Sequence, residues 1–170
     1  WTVLAPMTDM ASRIAAAPEA AARGVLSSEA YVSLLSAAAS EEEPAEALVT
    51  QTDRLRGAFR LAAGADRYAA MQQLWGTGGT PTQSYAAMVA TARAAAALPV
   101  NTDVGGDPWQ LLGSMLAGGY DENAIAWVPT VSVGSRAWAV LAVGSPRPLT
   151  GMSAGAVGQF AGDDDSADAT

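Results

Sequence analysis

The chain contains no histidine, no cysteine and no lysine, so all nine of its side-chain cations are arginines. Each absence removes a class of chemistry. Without cysteine there is no disulfide and no thiolate metal site. Without histidine or lysine, Ser–His and Ser–Lys nucleophiles are excluded within the chain, and no Schiff base can form. Aspartate, glutamate and, less commonly, tyrosine remain as general acids and bases. Aromatic residues make up only 6% of the sequence. No run approaches the roughly 18 consecutive apolar residues of a membrane span, and the longest uncharged stretch, residues 68–92, is broken by Gly76, Gly78, Gly79 and Pro81.

Half the residues are nevertheless apolar, far too many for a disordered chain. Alanine, leucine and valine must therefore supply most of the packing. Alanine is the strongest helix former and lets helices approach closely, so the composition predicts an all-α fold. Of the formal net charge of −8, four charges come from Asp163, Asp164, Asp165 and Asp168, which leaves −4 on the remainder. Nine scattered arginines against seventeen carboxylates argue against binding nucleic acid or an anionic membrane surface. Residues 1–162 read as one helical domain and residues 163–170 as an acidic tail or linker. Residue 1 is Trp rather than Met, and the first residues carry neither a basic nor a long apolar signal region. The chain is expected to be a piece of a longer product, with any signal peptide upstream of residue 1 and the compartment, cytoplasmic or exported, open.

Turn signals divide the chain into helix-length segments. Thr8 and Asp9 open a helix carrying Met10, Ile14 and Ala17, and Pro18 to Gly24 reads as a second short one. Ser27 and Ser28 precede a stripe of Tyr31, Leu34, Leu35 and Ala38. Residues 44–63 form the most amphipathic segment, with Leu48, Val49, Thr52, Leu55 and Phe59 on one face. Asp66 reads as the cap of a helix over 67–75, and Thr80-Pro81 opens a long alanine-rich helix to Leu98. Asp107-Pro108 reads as cap and first turn for residues 109–117. Shorter helices follow over 122–128, 136–143 and 152–160, and Thr130 to Val133 read as a loop rather than a strand. Of these segments, roughly eight or nine are expected to stand as helices.

Two features suggest repetition. Tyr68-Ala69-Ala70-Met71 recurs as Tyr85-Ala86-Ala87-Met88, and the later helices read as hairpins. Trp109-Gln110-Leu111-Leu112-Gly113 is similar to the opening of the tetratricopeptide repeat. The similarity covers about a dozen residues and stops at Pro129, where that pattern places an aromatic. The expected architecture is a solenoid-like stack of antiparallel hairpins, with an irregular helical bundle as the alternative.

No cofactor or metal is expected. Gly76-Thr77-Gly78-Gly79-Thr80 precedes a helix but lacks the lysine and the preceding strand of a phosphate loop. The acidic tail lacks the closing glutamate of a calcium loop. Glu29, Asp66, Asp103, Asp107, Asp121 and Glu122 are the carboxylates available for two-acid chemistry, and Asp66, Asp107 and Asp121 each have a capping explanation. The candidate partner-binding residues are Arg54, Arg56, Arg60 and Arg67, clustered within fourteen residues, together with Trp109, Trp127 and Trp138 of the final third. The expected function is a non-catalytic scaffold that binds a protein, a peptide or a neighbouring domain of its own chain. A carboxylate-dependent hydrolase or lyase acting on glycans is the alternative, and a purely structural domain the third.

Overall fold

The computed structural model describes residues 9–76, 79–148 and 155. Among these residues the fold is all-α, with eight helices, one 3-10 turn and no strand. The expected helix over 152–160, the acidic tail and Trp1 lie outside the described residues.

Capping side chains set most of the starts. Asp9 opens α1 (Met10–Ala22), accepting from the Ser12 N–H and Ser12 Oγ, both at 2.8 Å. These bonds hold the Asp9 carboxyl below its usual range. Ser27 caps α2 (Ser28–Ala38), Thr80 caps α5 (Pro81–Ala96) and Ser135 caps α8 (Arg136–Gly144). Between them lie α3 (Glu46–Arg60), α4 (Ala65–Gly76), α6 (Trp109–Ala117) and the short α7 (Asp121–Ile125), followed by a 3-10 turn at Val128–Thr130.

α1 is a single helix where two were expected. It runs through Pro18 and stops at Gly24, whose φ of +68° suits glycine. Pro18 forfeits one backbone bond, but Ala17 and Ala21 are buried one turn apart and α1 lies along α5. Packing of that face offsets the lost bond.

α5 is the axis of the molecule. Ala86, Met88, Val89, Ala90, Thr91, Ala92, Ala94 and Ala95 are all buried, so the helix is enclosed on nearly every side. It packs against α1, α2, α3, α4 and α6. Small side chains permit this, because they let several helix backbones come near one cylinder. A stack of hairpins would join each unit only to its neighbours in sequence. Here α1 also closes onto α5 across three intervening helices. The repeated tetrapeptide likewise occupies unlike settings: Tyr68 is 5% exposed and Tyr85 is 42% exposed.

One polar chain crosses the core. The Trp75 indole N–H donates to Thr91 Oγ1 at 2.8 Å, and Thr91 Oγ1 lies 3.2 Å from Ser114 Oγ. Ser114 Oγ donates to the Met88 carbonyl at 2.7 Å. α4, α5 and α6 are thereby pinned in one register, and no described buried side-chain polar atom lacks a partner. Tyr68 packs edge-on against Trp75, with ring centroids 6.0 Å apart.

Asp107 acts elsewhere than expected. α6 has Pro108 at its cap position and no side-chain cap bond. The Asp107 carboxylate instead accepts the Ala137 N–H, at 3.1 and 3.2 Å to its two oxygens, in the first turn of α8. Its partner is thirty residues away, and the bond ties the α6 entrance to α8. Asp66 also moves inside its helix, since α4 starts at Ala65.

Candidate functional site

The amphipathic pattern of α3 turns Thr52, Leu55 and Ala58 into the core, and this fixes what its other faces offer. Glu46, Ala47, Thr50, Gln51 and Arg54 form a polar wall along one side of a groove of about 880 Å³. The opposite wall is Ile14, Ala15 and Pro18 of α1. Leu35 and Tyr31 of α2, Leu74 of α4, Gly79 before α5, and Ala87 and Gln83 of α5 complete the described lining. α1 and α3 each pack on α2 and α5, but not substantially on one another, and the groove is the space left between them.

Glu46 and Arg54 stand eight residues apart on α3, roughly 12 Å at 1.5 Å per residue. They mark the polar wall with one charge of each sign. Arg54 makes no ion pair among the described residues. Tyr31 is buried, and burial pushes its phenol above the usual value, while a hydrogen bond with Gln51 opposes part of that rise. Pro18 has no N–H to offer the Ile14 carbonyl, and both residues line the groove. The surface thus combines an apolar side with amide, hydroxyl and charged groups on the other. Glu46 is the single carboxylate among the described residues that line the groove.

The seven residues singled out from sequence take different roles. Arg54 lines the groove. Arg56 pairs with Asp53 at 3.1 Å and, with Arg60, borders a separate cleft between α2 and α3. Arg67 donates through Nε and Nη2 to the Leu61 carbonyl at the end of α3, which is a structural bond. Trp127 is 2% exposed and belongs to the core; Trp109 is half-buried against it. Trp138 is half-buried on α8. α3, which carries Arg54, Arg56 and Arg60, packs on α2, α4 and α5, whereas α8, which carries Trp138, packs on α6.

Besides Asp107, three of the candidate acids have partners. Asp103 accepts the Gly105 N–H at 2.9 Å, Glu122 pairs with Arg147 at 2.6 Å, and Glu29 lies 3.6 Å from Arg93. Among the described residues no three carboxylates gather as a metal site, and no helix is long and apolar enough to cross a membrane.

Sequence reasoning passed over Gln51, Thr50, Gln83 and Tyr31 as groove residues. The available signal was the polar stripe at 46, 50, 51 and 54. No protein family matches this chain, nor does any curated protein or solved structure.

Proposed function

We propose that the protein is a non-catalytic helical interaction module that receives a peptide segment in the groove between α1 and α3. The observation that carries this reading is the pairing of an apolar α1 wall with a polar α3 wall. Such a surface suits a segment that is apolar on one side and carries polar or ionic groups on the other. A basic group would lie toward Glu46 and an acidic one toward Arg54, and the Gln51 and Gln83 amides can both donate to and accept from peptide bonds. Of the residues chosen from sequence, Arg54 is the one this site uses.

Two-carboxylate hydrolysis finds little support at this site, because Glu46 is the one carboxylate among the described residues that line it. A repeat architecture is not part of the proposal, since the binding groove needs only the gap between α1 and α3.

The test is selection of peptides from a display library on the purified chain. Ala15 is exposed and lines the groove, so Ala15→Trp should abolish binding of the selected peptides. Ala11→Trp, exposed on the same helix and not lining the groove, should leave it intact. Equal binding to both variants would sink the proposal. Arg54→Glu should weaken peptides bearing an acidic residue by roughly tenfold, the scale of one partly exposed charge pair reversed.

A further inference from the structure

We infer that the cleft between α2 and α3, distinct from the groove above, is a docking site for a partner segment that presents one bulky apolar side chain flanked by acidic residues. The cleft holds about 190 Å³ and is floored by Val32, Leu55 and Phe59, with Arg56 and Arg60 on its rim. Arg56 and Arg60 are one helical turn apart, so their guanidinium groups flank the same opening. Asp53 accepts a bond from Arg56 at 3.1 Å, which leaves the charge of Arg60 without an ion-pair partner among the described residues.

Charge complementarity selects the occupant. An apolar floor would take any hydrophobic side chain, but the rim around it carries net positive charge. A neighbouring aspartate or glutamate on the incoming segment gains a cationic partner, whereas a lysine or arginine meets repulsion. The cleft has room for one large side chain rather than a helix face. It therefore fits a short acidic segment with a single anchor.

The probe is a fluorescein-labelled pentapeptide, Asp-Asp-Phe-Asp-Asp, followed by anisotropy on the full chain. Saturable binding is expected, lost when Phe is replaced by Ser or every Asp by Asn, and weakened as salt rises. Arg60→Glu, at an exposed position, should weaken it about tenfold. Ser36→Leu, which adds an apolar side chain at the half-buried wall of the cleft, should abolish it; thermal melting of each variant checks that the fold persists. Ala15→Trp in the other groove should change nothing. Absence of saturable binding, or binding indifferent to Arg60→Glu and Ser36→Leu, would overturn the inference. A chain shortened by residues 161–170 should bind the probe as the full chain does. Markedly tighter binding by the shortened chain would also overturn the partner reading, by making the chain's own acidic stretch the occupant.

Discussion

At the residue scale, the scarcity of bulk makes close approach the governing contact. Gly118 ends α6 against α5, where an added Cβ would sit 2.2 Å from the Ala92 Cβ. Ala92 is fully buried on the axis helix and cannot swing aside. Gly118→Ala should therefore destabilise the fold by about 1–3 kcal/mol, read as a lower midpoint in urea unfolding. Gly144 gives the contrast. Its added Cβ would meet Leu116 Cδ1 at 2.6 Å, the tip of a side chain that can change rotamer, so Gly144→Ala should cost clearly less. Thr91 tests the polar chain in the same way. Thr91→Val keeps the shape but removes the acceptor of the Trp75 indole and the neighbour of Ser114. A loss of about 1–3 kcal/mol is expected from the unsatisfied donor, with Trp75 fluorescence shifting as its hydrogen bond disappears. If Thr91→Val proves neutral, the core polar chain does not set the register of α4, α5 and α6.

At the element scale, local chemistry was legible and remote partnership was not. Ser27 and Thr80-Pro81 announced α2 and α5 because a cap is read within three residues of sequence. Thr52, Leu55 and Phe59 gave the inward stripe of α3 by their spacing. Asp107 misled for the opposite reason. Its sequence setting, just before Pro108 and Trp109, is that of a cap for α6, yet tertiary folding brings the Ala137 N–H to it from α8. Pro18 misled because a helix breaker is judged locally, whereas the burial of Ala17 and Ala21 is decided by α5. The groove was invisible on the same grounds: nothing in residues 46–54 says that α1 will stand opposite.

Asp107 also makes a prediction proper to its element. Asp107→Ala should fray the start of α8 at a cost of about 1 kcal/mol, seen as faster amide exchange at Ala137. The same carboxylate helps to raise the Tyr68 phenol above its usual value, second to burial. Removing it should bring the Tyr68 titration back toward that of free tyrosine, a shift that simple fraying of α8 would not produce. An unchanged titration alongside faster exchange would separate the two roles and leave Asp107 as a cap alone.

At the scale of the whole molecule, the missing residue types decide how stability responds to pH. With no histidine, cysteine or lysine, no side chain has an ordinary pKa between the carboxylates and tyrosine. Across the neutral range the fold should therefore be nearly indifferent to pH, and buried tyrosines govern the alkaline side. Tyr31 and Tyr68 both have phenols raised above their usual value, in each case chiefly by burial. The folded state then holds its phenol protons at a pH where the unfolded chain has begun to release them. Stability from this source is complete below the unfolded value of about 10 and is lost as pH rises through the folded values. The melting temperature should accordingly stay level from about pH 6 to 9 and fall steeply beyond pH 10. Tyr31→Phe and Tyr68→Phe should each soften that fall, because phenylalanine has no proton to surrender. Tyr31→Phe also removes a hydroxyl from the lining of the groove, so it should weaken the selected peptides at neutral pH, whereas Tyr68→Phe should not. A fall in melting temperature that is equally steep in both variants would show that the alkaline limit is set by general charge repulsion on an already acidic chain.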